Sequence, residues 1–67
     1  MNLDKLNGLI AEKRKSKKSI AEEMGISQQA LSKKLNGKTR ITTDDATMFC
    51  DILQITDLAT KAEIFLA

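Results

Sequence analysis

The stretch Ser19 to Gly37, SIAEEMGISQQALSKKLNG, decides the reading of the chain. Two short amphipathic helices are legible in and just before it, Lys17–Met24 and Gln28–Leu35, with Gly25 between them. Ala21 lies on the inner side of the first helix, where a small side chain lets a second helix approach closely at a steep angle. Gly25 falls where the first helix must stop, because glycine takes positive φ without the Cβ clash. Ile26 then turns inward, and Ser27 is placed to accept hydrogen bonds from the first free N–H groups of the next helix. That helix buries Leu31 and Leu35, four residues apart, and turns Gln28, Gln29, Ser32, Lys33 and Asn36 outward. Asn36-Gly37 supplies a second left-handed stop. A helix, a glycine turn and a second helix with a polar outer face form the pattern of a helix-turn-helix.

This stretch resembles the helix-turn-helix of the lambdoid phage repressors and Cro proteins, the XRE family. The likeness is above all to short forms from phages and prophages of Gram-positive bacteria, which carry GIS, KLNGK and a terminal run such as IFLA. It covers nearly the whole chain and is strongest from Ile20 to Lys38. Any one of Ala21, Gly25, Ile26 or Leu31 would also suit an ordinary helical hairpin; together and in order they favour DNA binding. The resemblance implies an all-α, lambda-repressor-like domain over residues 1–67, a compact bundle of about five short helices. It also implies a transcriptional regulator of Cro-like repressor type, whose second motif helix reads the major groove of double-stranded DNA. Such proteins bind palindromic operators as two-fold dimers, here a weak homodimer formed alone or on the DNA. The competing expectation is an accessory protein of the same fold that modulates a partner repressor by direct contact.

Composition narrows the field from another side. Sixty-seven residues make one domain near the lower size limit for folding without staples. Cys50 is the only cysteine, so no intrachain disulfide exists, and its apolar surroundings (Met48, Phe49, Ile52, Leu53) suit a buried thiol. With no histidine, a zinc site is nearly excluded. No nucleophile–base pair and no P-loop is legible, so neither a catalytic residue nor a cofactor is expected. Neither a secretory leader nor a membrane span is legible, which places the expected protein in the bacterial cytoplasm, at the nucleoid.

The net charge of +2 conceals a division. Lys13 to Arg40 holds nine basic residues against Glu22 and Glu23, a local +7. From Ile41 onward Lys61 stands alone against Asp44, Asp45, Asp51, Asp57 and Glu63, a local −4. The positive half coincides with the helix-turn-helix, where phosphate contacts are needed.

In chain order, Asn2 is placed to cap a first helix carrying Asp4 in its first turn and Leu6, Leu9 and Ile10 on its core face. Gly8 interrupts that helix, as either a close-packing or a surface position. Ser16 is preferred over Ser19 as the cap of the second helix, since Ser19 would leave barely one turn before Gly25. Lys17 and Lys18 then oppose the helix dipole, an arrangement that suits a docked phosphate. In the resembling family the position of Lys17 often contacts the backbone or supports the recognition helix, whereas Lys15 departs from a frequently apolar position. Ile41 is expected to plug the core. Thr42 with Asp45 has the capping spacing, opening a fourth helix with Ala46, Phe49, Cys50 and Leu53 on one face. A side row of Met48, Ile52 and Ile55 is either covered by a fifth helix or self-associating. Thr60 with Glu63 reads as the cap of that terminal helix.

Glutamine bonds bidentately to adenine N6 and N7, so Gln28 and Gln29, leading the second motif helix, are the first candidates for base reading. Ser32 and Lys33 follow one turn later. Lys17, Lys18, Ser27, Asn36, Lys38, Thr39 and Arg40 are the candidates for phosphate contact.

Overall fold

Each helix starts at a short polar side chain that satisfies a free N–H group. The computed structural model of the protein describes residues 1–66, so the last residue of the Ile64–Ala67 run lies outside the described residues. The elements are α1 (Leu3–Glu12), α2 (Lys17–Met24), α3 (Gln28–Leu35), α4 (Thr43–Ile52) and α5 (Leu58–Phe65), with no strand among the described residues. Asn2, Ser16, Ser27, Thr42 and Asp57 cap them in turn, each side chain accepting from the backbone N–H three residues on. At Thr42 the capping box is complete, because the Asp45 carboxylate also accepts from the Thr42 N–H at 3.0 Å.

The start of α5 corrects the sequence reading. Asp57, not Thr60, is the cap, and accepts from the Thr60 N–H at 2.8 Å. Both Asp57–Thr60 and Thr60–Glu63 have capping spacing, and a carboxylate at the earlier site gains a further turn of helix. Hydrogen bonds from the Thr60 hydroxyl and N–H hold the Asp57 carboxyl below its ordinary value.

Four helices end in the same way. Past the last helical residue one residue turns left-handed, and two backbone N–H groups reach back to otherwise free carbonyls. In α2 the left-handed residue is Gly25 (φ 72°); Ile26 N–H bonds Ala21 C=O at 3.0 Å and Gly25 N–H bonds Glu22 C=O at 3.2 Å. In α3 it is Gly37 (φ 78°), with Lys38 N–H on Lys33 C=O at 2.9 Å. In α1 and α4 non-glycine residues do the same work, Arg14 and Gln54, both at φ 56°. Lys15 N–H closes on Ile10 C=O at 3.2 Å, and Ile55 N–H on Cys50 C=O at 2.9 Å.

The core is built from every helix: Leu6 and Ile10, Ile20, Ala21 and Met24, Leu31 and Leu35, Phe49, Leu53 and Ile55, and Ile64. Leu3, Leu9, Ile26 and Ile41 pack half-buried around it. Asn2 N–H bonds Ile64 C=O at 2.7 Å, joining the start of α1 to α5. The side row of α4 splits, with Ile55 buried, Ile52 half-buried and Met48 exposed. Ala46 and Cys50, expected inside with Phe49 and Leu53, are only half-buried, because they border a groove between α4 and α5.

The three glycines are expected to respond oppositely to alanine. A Cβ at Gly8, exposed within α1, meets nothing within 4 Å. Gly8→Ala should therefore stabilise by about 1 kcal/mol, roughly 4–8 °C in Tm. Gly25→Ala also meets open space but sits at positive φ, and should cost about 1–2 kcal/mol. Gly37→Ala should cost more, since its Cβ would also lie 3.3 Å from Leu3 Cδ1. Thermal unfolding of the three variants checks the order.

Candidate nucleic-acid interface

α3 has eight residues, too few to persist alone, so its position depends on what holds it. Leu31 and Leu35 are buried in the core, and α2 packs across its inner face, with Ala21 only 2% exposed. Ser27 Oγ accepts from Ala30 N–H at 3.1 Å and closes the leading end.

The trailing end is tied from two sides. Asn7 on α1 donates from its side-chain amide to Leu35 C=O at 3.2 Å, and to Leu3 C=O at 2.9 Å. Lys34 Nζ lies 2.8 Å from Asp45 Oδ2 on α4 and donates to Arg40 C=O at 3.4 Å. Both side chains of this ion pair are only 14% exposed. Burial alone would push the Asp45 carboxyl up; hydrogen bonds from Lys34 and Thr42, with the Lys34 charge, hold it below its ordinary value. Neither tether is legible in the sequence, where Lys34 counts only towards the positive charge of Lys13 to Arg40. The signals were faint: an asparagine beside Leu3, Leu6 and Ile10, and a lysine between two apolar positions of α3.

Opposite the core, Gln28, Gln29, Ser32, Lys33, Asn36 and Lys38 line one shallow surface hollow. All are exposed except Ser32, which is half-buried. The four candidates for base reading thus share one surface with two of the candidates for phosphate contact. Lys17 and Lys18 head α2 and are exposed outside this hollow, as is Ser27, whose Oγ is engaged as the cap. Thr39 and Arg40 border a different depression, with Met1, Ile41 and Phe65.

The ion pairs among the described residues are Lys5–Glu63 at 3.5 Å and Lys34–Asp45. Lys17, Lys18, Lys33, Lys38 and Arg40 thus have no carboxylate partner. The first turn of α2 holds no acidic residue, so its free N–H groups and two ammonium groups present an uncompensated positive end. Among the described residues no group of three or more histidine, cysteine, aspartate or glutamate side chains could hold a metal ion. Among the described residues no helix is long and apolar enough to cross a membrane either.

A family model described as the Cro/C1-type HTH DNA-binding domain matches residues 5–60, from the first turn of α1 into α5. The chain belongs to the Cro/C1-type helix-turn-helix family. No curated protein and no solved structure matches it. As a Cro/C1-type domain it is a sequence-specific DNA-binding regulator, and α2 and α3 are its helix-turn-helix.

The Lys34–Asp45 tether gives this Cro/C1-type domain a pH signature. Unfolded Asp45 titrates near 3.8 and the folded group lower. Its contribution is therefore complete above the unfolded value and lost as pH falls through the folded one. Asp45→Asn should cost about 1–3 kcal/mol near neutrality, between the exposed and buried limits for an ion pair. That difference from the parent should shrink below about pH 4. Thermal unfolding of both proteins from pH 2 to 7 measures it.

Proposed function

We propose that the protein is a Cro-like repressor of a phage or prophage, acting on the bacterial nucleoid by occupying palindromic operators as a homodimer. The observation carrying this reading is the single exposed surface formed by Gln28, Gln29, Ser32, Lys33, Asn36 and Lys38. An α-helix fits the major groove, and side chains on its leading turn reach base edges. In this reading Gln28 and Gln29 pair with adenines, while Ser32 and Lys33 read the next step. Lys17, Lys18, Ser27, Asn36, Lys38, Thr39 and Arg40 hold phosphates and set the register. The phage assignment is supported by the likeness of GIS and KLNGK to short phage regulators. One copy covers a half-site, and two-fold pairing doubles both reading and phosphate contact. A helix-turn-helix accessory protein acting on a partner repressor would not need amides on the leading turn of α3.

The double variant Gln28→Ala/Gln29→Ala leaves Leu31 and Leu35 intact and should fold normally. Specific affinity should fall by about 1–3 kcal/mol per lost contact, with non-specific binding hardly changed. Operator and scrambled-duplex affinities at one salt concentration measure this; an unchanged preference for operator would remove α3 as the reading element.

Salt dependence tests the phosphate contacts. A dimer neutralising about eight phosphates gives a log–log slope near −7, roughly 10⁴-fold weakening from 50 to 200 mM salt. Lys17→Ala and Lys38→Ala should weaken all sequences alike and flatten that slope. A shift in the preferred sequence instead would reverse the division between positioning and reading.

A further inference from the structure

Lys34 belongs to the helix that bears the positive face, yet it does not line the hollow on that face. Its ammonium group sits 2.8 Å from Asp45 Oδ2 on α4, and both side chains have lost most of their hydration. An ion pair so shielded returns little stability over an apolar contact; its best-attested use is to fix register. What it registers here is the segment between α3 and α4, residues 36–42. That segment starts on α3, where the Lys38 and Thr39 N–H groups both bond Lys33 C=O, at 2.9 and 3.1 Å. It ends on the pair itself. Lys34 Nζ donates to Arg40 C=O at 3.4 Å, and Asp45 Oδ2 accepts from Thr42 N–H at 3.0 Å. Lys38, Thr39 and Arg40 stand exposed between these two fixed points.

We propose that Lys34 and Asp45 are positioning residues for operator discrimination: without touching DNA, they set the register between α3 and residues 38–40. This rests on the reading of α3 and of that segment given above, and names what keeps the two in step. Burial of Leu31 and Leu35 is non-directional, so it tolerates a small roll of α3 about its axis. A hydrogen-bonded ion pair does not, because its strength depends on distance and angle. Phosphate contacts fix the position of the protein on the duplex, and base edges are read from that position. An α3 that rolls against the segment still meets phosphates, which every duplex presents alike, but meets base edges out of line. The loss therefore falls on discrimination and spares sequence-independent binding. For Asp45, charge alone predicts the opposite sign. Removing a carboxylate strengthens binding to every duplex, whereas losing the register weakens the preference for the operator.

The test measures affinity of the full chain for a duplex selected from a random pool and for its scrambled form, across a salt series. Asp45→Asn keeps an acceptor for Thr42 N–H but loses the charge that holds Lys34. Asp45→Asn and Lys34→Met should each lower the preference for the selected duplex about tenfold, the effect of one mismatched base pair. Affinity for the scrambled duplex should stay within about threefold, with the salt slope unchanged. Lys34→Arg, which can keep the pair, should retain the preference. The double variant should be no worse than either single one, since both remove the same contact. Ile64→Val, a core change on α5, controls for lost stability and should discriminate like the parent. Circular dichroism confirms folding, and a variant short of helix is remeasured with Gly8→Ala, whose Cβ meets nothing within 4 Å. An Asp45→Asn protein with unchanged or increased preference overturns the proposal. So does a Lys34→Met protein that weakens on both duplexes alike and flattens the salt slope by about one per copy, as a phosphate contact would. So does an Ile64→Val protein that loses the preference as fully, because general destabilisation then accounts for the effect. A parent that does not distinguish the two duplexes removes the reading of α3 as well. A discriminating parent with an indifferent Asp45→Asn variant removes this assignment alone.

Discussion

The constraint on which the rest depends is that an eight-residue helix must be fixed in place while one whole face stays bare. Helix nucleation is costly, and eight residues supply too few hydrogen bonds to repay it in water. α3 is stabilised instead by what surrounds it: Leu31 and Leu35 in the core, Ser27 at its start, and Gly37 turning the chain at its end. The turn before it is equally determined. The left-handed Gly25 lets Ile26 N–H return to Ala21 C=O, and the small Ala21 side chain lets α3 cross α2 closely. Polar tethers complete the fixation, since Asn7 and Asp45 hold the last turn of α3 from α1 and α4. None of these groups takes space on the outer face.

Electrostatics divides the molecule along the same line. On the helix-turn-helix side, Lys17, Lys18, Lys33 and Lys38 have no carboxylate partner among the described residues, and two lysines stand at a helix end that disfavours them. On the α4–α5 side the carboxylates are largely committed to Lys34, to Lys5 and to a helix cap. Mutual repulsion among unpaired cations reduces stability slightly and is relieved when phosphates enter. Lys34 is the exception that clarifies the rule. Its ammonium group points away from the hollow towards Asp45, and it serves the position of α3 instead of the charge of its face.

Legibility followed sequence distance. The ends of α2 and α3, the caps Asn2, Ser16, Ser27 and Thr42, and the stops at Gly25 and Gly37 could be read because each depends on residues three or four apart. The left-handed residues Arg14 and Gln54 could not, because neither type prefers that conformation; the helix-ending hydrogen bonds and the burial of Ile55 impose it. The start of α5 was misplaced because two capping spacings overlap there, and local spacing alone does not choose between them. The tethers Asn7–Leu35 and Lys34–Asp45 join residues 28 and 11 apart. No local pattern announces them, although they govern how α3 is held. The polar face of α3 was legible for the opposite reason, since an amphipathic helix with Leu31 and Leu35 inside leaves little choice about what faces out.

The central claim is that the outer face of α3 reads DNA sequence, twice, through a two-fold pair. Selection of bound duplexes from a random pool tests it most directly, because it presumes no operator. The account predicts a palindromic consensus with half-sites one helical turn, about 34–36 Å, apart and adenines opposite Gln28 and Gln29. A pool that remains random after repeated selection, although the folded protein retains bound duplex, would contradict it.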